Sequence, residues 1–157
     1  MMQRALGVLG GAIIVLSGTQ ALAGGLQVGR VSARPGQPIT VPVSFTAGKG
    51  DAVTALTVDI HFDKGLINPR CAQGAVIANV DKVVRCAEVD RGQIRLLIFG
   101  FNQDPLPSGE VATVTFDVAP NWRRRLHRLA SEVSASDADG KPIQLARKSG
   151  TVRVGTR

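Results

Sequence analysis

The sequence predicts an all-β protein, an antiparallel β-sandwich of about nine strands that occupies residues 24–157. Three observations support this fold class. Apolar and polar residues alternate over several short segments, as in 56–62, where Leu56, Val58 and Ile60 are separated by polar residues. Gly, Pro and Asp turn residues separate these segments at intervals of roughly 8–12 residues. No segment after residue 23 shows a clear helical period.

The first 23 residues have the three parts of a secretory signal peptide. Residues 1–4 supply positive charge, residues 5–16 are an apolar run, and Ala21-Leu22-Ala23 is a small-x-small cleavage site. Because the apolar run has 12 residues, it is too short for a permanent membrane span, although a retained N-terminal anchor is the alternative. We expect cleavage after Ala23, a secreted or periplasmic protein, and no membrane span in the mature chain.

The strands are predicted from the alternation and from the turns that bound them. They are residues 26–32, 39–45, 55–62, 82–89, 93–101, 110–118, 129–136, 142–147 and 151–154. Pro42 within the second segment indicates an edge strand or a bulge. Residues 68–79 are less regular. Hairpin turns are predicted at Asp90-Arg91-Gly92 and at residues 137–140.

Cys71 and Cys86 are the two cysteines of the chain, and both follow the export signal. In an oxidising compartment such a pair is predicted to form a disulfide. Closing a loop of about 15 residues stabilises a fold by roughly 3 kcal/mol in the chain-entropy model. No further Cys or His stands at metal-ligand spacing, so no metal site and no cofactor are predicted.

Positive charge is concentrated in the last quarter of the sequence. Residues 24–120 are neutral, with nine basic and nine acidic side chains, whereas residues 121–157 carry nine basic and three acidic ones. The candidate basic patch is Arg123, Arg124, Arg125 and Arg128. It either binds an anionic polysaccharide or another acidic partner, or is a solvated basic edge. Nucleic acid is not expected, because no aromatic residues are interleaved with the basic ones.

Several segments, in order, resemble those of the cohesin domains, which are jelly-roll sandwich modules that dock a partner called dockerin. Residues 34–43 read RPGQPITVPV, similar to the family's opening strand, and residues 55–66 end in FDKGL, similar to its aromatic-Asp-x-x-Leu turn. Residues 109–116 read GEVATVTF, which resembles a later strand. Further similar segments are 92–96, 136–140 and 150–154. The resemblance implies a cohesin-like domain over residues 24–157 and a non-catalytic binding role.

The same resemblance implies where a protein partner would bind. Members that bind dockerin often carry an Asn-x-Asp pair where this chain has Ala55 and Thr57, so the fold and a binding role are carried over, but not dockerin recognition itself. The family's partner face includes the strand 93–101, whose side chains are apolar on both sides. Either it presents an apolar outer face or it is a covered core strand. The candidate contact residues are Thr57, Asp59, His61, Leu97, Phe99 and Phe101.

Catalysis is not indicated by the sequence. His61 and His127 are its two histidines, and no nucleophile motif accompanies them. Asp59, His61 and Asp63 project from one strand face at roughly 7 Å intervals, which is too wide to chelate one ion and is typical of a solvated strand face. We expect a binding module that docks a protein in carbohydrate-related assembly or polysaccharide degradation. The alternatives are direct binding of an anionic glycan through the basic quarter, and a structural surface subunit.

Overall fold

Two β-sheets packed face to face account for most of the computed structural model, which describes residues 23–155. The strands are β1 (Gly25–Val28), β2 (Arg30–Ala33), β3 (Pro38–Thr46), β4 (Ala55–His61), β5 (Leu66–Gln73), β6 (Val83–Asp90), β7 (Gln93–Phe99), β8 (Gly109–Val118), β9 (Leu126–Ser136), β10 (Pro142–Ile143), β11 (Ala146–Lys148) and β12 (Gly150–Val154), with a 3₁₀ turn at Ile77–Asn79. One sheet has the order β11-β1-β3-β8-β5 and the other β2-β12-β9-β4-β7-β6, with β10 beside β9. The predicted all-β jelly-roll sandwich is confirmed.

The core lies between the two sheets and is filled by every second side chain of the long strands. Val41 and Val114 come from the first sheet and Val58 and Leu96 from the second, and all four are fully buried. Such burial stabilises a fold by roughly 25 cal/mol for each Å² of apolar surface removed from water. In these long strands, the apolar residues of the alternating pattern are therefore the ones that face the core.

The predicted first strand is divided between the two sheets at Gly29. β1 pairs with β3 and β2 pairs with β12, so the chain crosses from one sheet to the other at this residue. A Cβ atom on Gly29 would lie 2.6 Å from Cγ of Pro42, so only glycine fits the crossing. The pairs β1–β11 and β2–β12 are parallel, a departure from the otherwise antiparallel sandwich.

Pro42 is compatible with a central strand because β1 ends beside it. β3 lies between β1 and β8, so it is not an edge strand, and the register with β8 shifts between Val43 and Ser44. The edge-strand interpretation of Pro42 is therefore wrong, and the irregular pairing begins one residue later, since Pro42 itself pairs in register with Thr113. Gly29 donates its N–H to the carbonyl of Pro42 at 2.8 Å.

The disulfide between Cys71 and Cys86 is confirmed, with sulfur atoms 2.04 Å apart. Cys71 lies on β5, an edge of the first sheet, and Cys86 on β6, an edge of the second. The bond therefore joins the two layers along one open side of the sandwich. β5 itself was expected to be irregular.

The predicted signal peptide cannot be compared with the structure, since residues 1–22 lie outside the described part, and it stays a prediction. Within residues 23–155, no helix is long and apolar enough to cross a membrane.

Candidate partner-binding face

The outer surface of β9, β4, β7 and β6 forms one continuous face, called here the docking face. Cross-strand register places Leu97 beside Thr57 on one side and Arg85 on the other, and Thr57 beside Ser134. The next row contains Ala87, Arg95, Asp59 and Glu132. The alternation that buries Ile94, Leu96 and Ile98 thus turns the candidate residues outward together.

Apolar side chains occupy one end of the docking face. Leu97 is 39% exposed, and Phe99 is half-buried beside Val83 of the neighbouring strand. Phe101 follows the end of β7 and is fully exposed. The outer side of β7 is therefore not a second core layer, which was the alternative interpretation of this strand.

The segment that carries Phe101 is held in place by a buried lysine. Lys82 is 3% exposed and donates from Nζ to the carbonyl of Asn102 at 3.2 Å. Burial lowers the pKa of this amino group. A hollow of about 540 Å³ beside Phe101 is lined by residues 80–83, 101 and 102. The side chain of Phe101 is thus exposed, while the backbone next to it is held by the hydrogen bond from Lys82 to Asn102.

Charged side chains in the middle of the docking face are paired with one another. Arg95 donates from Nε and from its terminal nitrogen to the two carboxylate oxygens of Asp59, each at 2.7 Å. This hydrogen bonding holds the pKa of Asp59 below its usual value, against the opposing effect of partial burial. His61 lies 3.7 Å from Glu132 on the adjacent strand. The face therefore offers an apolar end and a polar middle in which Asp59 and Arg95 neutralise each other.

Asp63 does not join Asp59 and His61 on this face, contrary to the prediction. β4 ends at His61, and Asp63 turns towards the loop before β9. It accepts a hydrogen bond from the backbone of Gly65 at 3.1 Å and one from Nδ1 of His127 at 2.6 Å. Residues 23–155 contain no cluster of three or more His, Cys, Asp and Glu side chains suited to a metal ion.

Most of the predicted basic patch lies off the docking face, and Arg128 lies on β9 at its border with β12. Arg123, Arg124 and Arg125 occupy the connection between β8 and β9, and Arg128 projects from the outer side of β9 opposite Thr151. Arg124 lies 3.6 Å from the carboxylate of Asp63. The four arginines are exposed. They do not extend the apolar end of the docking face.

Several members of the docking face were not among the candidate residues. They are Val83, Arg85, Arg95, Glu132 and Ser134. In β6, Val84 and Cys86 alternate with Val83 and Arg85, and this alternation could have predicted that Val83 and Arg85 share the outer face. The partners on β9 depend on cross-strand register, which the sequence does not encode locally.

A family model described as the cohesin domain matches residues 24–154, nearly all of the described chain. The chain belongs to the cohesin family. Cohesins are non-catalytic binding modules, so membership establishes a binding fold of known architecture. No curated protein sequence matches the chain.

Solved cohesin structures share this fold. A non-cellulosomal cohesin from the archaeon Archaeoglobus fulgidus is 24% identical with a TM-score of 0.70, covering 85% of this chain and 92% of that one. A cohesin from Clostridium acetobutylicum is 21% identical with a TM-score of 0.70, covering 85% and 92%. A cohesin in a type I cohesin–dockerin complex from Clostridium thermocellum is 19% identical with a TM-score of 0.70, covering 85% and 99%.

Proposed function

We propose that this cohesin is an exported, non-catalytic module that docks a protein partner, dockerin-like or of another kind, on the docking face. The observation that carries the proposal is an apolar cluster at one end of a sheet face of a cohesin domain, with Leu97 and Phe101 exposed and Phe99 half-buried. Exposed apolar side chains on a rigid strand, bordered by polar groups, are typical of the centre of a protein interface.

The arrangement of charges suits docking of a folded partner. Because Asp59 and Arg95 already neutralise each other, a partner covering them does not have to bury an unpaired charge. The affinity for the partner would then come mainly from burial of the apolar side chains at the end of the docking face. Thr57 in the row of Leu97 can donate and accept one hydrogen bond at the centre of the contact.

Recognition by this face would differ in detail from that of dockerin-binding relatives. Ala55 and Thr57 replace the Asn-x-Asp pair of such members, so two amide or carboxylate contacts are lost. A matching partner presents an apolar patch to Leu97 and Phe99 rather than a dense set of hydrogen-bond donors. Solved complexes of related cohesins contain dockerins. A role in polysaccharide degradation or surface attachment fits this setting.

The test is a pull-down from the secreted fraction of the source cells, followed by affinity measurement with the recovered protein. The variant Leu97→Asp/Phe99→Asp is expected to lower affinity by about tenfold or more, because it places charge in the apolar centre. Ile67→Asp is the matched control, since Ile67 is 40% exposed but lies on β5 of the other sheet. Recovery of no partner by the wild type, or unchanged affinity of the Leu97/Phe99 variant, would contradict the proposal.

A further inference from the structure

Three adjoining hollows form a groove at the end of the sandwich where β2 and β12 finish and β9 begins. They have volumes of about 480, 290 and 260 Å³. The first and second share Arg153 and Gly155, and the second and third share Arg125 and Gly155. The hollows are therefore one continuous surface, called here the arginine groove.

Arginine dominates the lining of this groove. Its five arginines are Arg34, Arg123, Arg124, Arg125 and Arg153. Among the residues that the structure describes, no Asp or Glu lines any of the three hollows. In the described part of the chain, Arg124 is paired with Asp63, whereas Arg34, Arg125 and Arg153 form no ion pair. Within residues 23–155, the groove thus concentrates positive charge of which a carboxylate neutralises only that of Arg124.

Folding, rather than sequence proximity, brings these arginines together. Arg34 follows β2 and Arg153 belongs to β12, and these strands pair in parallel with Ser32 beside Arg153. Arg153 also lies opposite Leu126, next to Arg125. The cluster therefore combines three separate parts of the sequence, including Arg34 from the segment 24–120, which is neutral overall.

We infer that the arginine groove binds an acidic polysaccharide, a linear chain that carries carboxylate or sulfate groups. The guanidinium fork bonds such groups through two parallel hydrogen bonds, and arginine is more weakly hydrated than lysine. A linear polyanion presents one acidic group after another. A single chain lying in the groove therefore meets arginines of all three hollows.

Other polyanions fit the groove less well. A bilayer surface is flat and requires apolar side chains that insert, but Leu126, 52% exposed, is the sole large exposed apolar residue bordering these hollows. A nucleic acid strand requires stacking aromatics, and Trp122, the one aromatic residue of the lining, is packed against Gly65. An acidic peptide would find few apolar pockets for anchoring side chains.

The test measures binding of the full-length protein to polygalacturonate and to chondroitin sulfate, which separate carboxylate from sulfate recognition, with dextran as the neutral control. Binding to at least one acidic polysaccharide, weakened by added salt, is expected. Arg34→Gln/Arg125→Gln/Arg153→Gln should lower affinity at least tenfold. If that variant does not fold, Arg153→Gln alone, which alters two hollows, should lower affinity about threefold.

The matched control is Lys49→Gln/Arg147→Gln/Lys148→Gln, which removes the same charge from exposed positions outside the groove. It should bind as the wild type does. Equal loss in both triple variants would show that net charge alone attracts the polymer and would overturn the inference. It would also be overturned by absence of binding to both acidic polysaccharides, or by tighter binding to phosphatidylglycerol vesicles or polyglutamate.

Discussion

The ion pair between Asp59 and Arg95 is a contact of two hydrogen bonds in the middle of the docking face. Its two hydrogen bonds, each 2.7 Å long, join neighbouring strands, and the side chain of Asp59 is only 13% exposed. Arg95 is 45% exposed, so solvent screens much of the attraction. The pair fixes two side chains in one geometry before a partner arrives, which reduces the ordering cost of binding.

This pair makes stability depend on pH in the acid range. Because hydrogen bonding from Arg95 keeps the pKa of Asp59 lower in the folded state than in the unfolded chain, the stabilisation is present at neutral pH. It is lost as the pH falls below about 4, where the unfolded chain binds the proton first. Asp59→Asn should therefore lower the free energy of unfolding at pH 7 by about 1 kcal/mol or less, and have little effect at pH 2.

Urea unfolding of both proteins at the two pH values measures this difference. Asp139→Asn is the control, since the carboxylate of Asp139 is exposed and in a hairpin turn. If Asp59→Asn changed the free energy of unfolding equally at both pH values, the charge of Asp59 would make no contribution to stability, which would contradict this prediction.

The buried contact between His127 and Asp63 should contribute more. His127 is fully buried, and its Nδ1 has the Asp63 carboxylate as its acceptor. Asp63→Ala leaves this donor without a partner in the core, so we expect a loss of about 2 kcal/mol in the free energy of unfolding. Adding His127→Leu removes the unsatisfied group and should restore part of the loss.

Thermal and urea unfolding of the single and double variants compare these outcomes. A double variant less stable than Asp63→Ala would mean that His127 contributes mainly by packing. The sequence did not predict this pair, because the two residues are 64 positions apart and the FDKGL turn that contains Asp63 does not indicate His127 as its partner.

At the scale of the elements, most strands were predictable, including β6, whose residues are mostly exposed or half-buried. β4, β7 and β8 each turn one side to the core, and all three were located, although β7 is apolar on both sides. The turn at Gly92 was also predicted, and its φ of 81° explains the glycine. The candidate residues of β4 and β7 share one face for the same reason.

β5 was missed because its sequence lacks the usual strand signals. It contains Pro69, its Asn68 has a φ of 52°, and its register with β8 shifts between Ile67 and Arg70. Most of its residues are exposed or half-buried, so no alternation marks it. Its pairing is instead supported by β8 on one side and by the disulfide to β6.

The disulfide should therefore contribute substantially to stability. Replacing both cysteines, Cys71→Ala/Cys86→Ala, is expected to lower the free energy of unfolding by roughly 3 kcal/mol, because the loop of 15 residues becomes free in the unfolded chain. Urea unfolding with and without reductant measures the effect. Reductant should destabilise the wild type by a similar amount and leave the variant unchanged; insensitivity of the wild type to complete reduction would contradict this account.

On the scale of the whole molecule, one sheet carries the docking face and most of the arginine groove, whose lining also includes Pro38 and Ile39 of β3 in the other sheet. The docking face uses β6, β7, β4 and β9, whereas the arginine groove lies at β2, β12 and the start of β9. The residues that form the docking face and those that line the arginine groove are different. The groove was only partly predictable, since Arg123, Arg124 and Arg125 are adjacent in sequence while Arg34 and Arg153 join them through strand pairing.

This separation predicts that the two ligands bind independently. With the recovered partner bound to saturation, the affinity for the acidic polysaccharide should change by less than about twofold, since the sites share no contacts. Titration calorimetry on the free protein and on the complex measures this. Competition between the two ligands would contradict this prediction. It would show that the bound protein partner extends across β9 to the arginine groove.

The parallel pairing of β2 with β12 also constrains how the chain is made. Arg30 pairs with Thr151, so β2 has no neighbour in its sheet until the last strand has been synthesised. Such distant pairings are slow to form and leave strand edges open meanwhile. A ribosome that stops before residue 150, or a protease that cuts there, would release a chain with two vacant edges. We expect such fragments to aggregate rather than persist as slightly shorter domains.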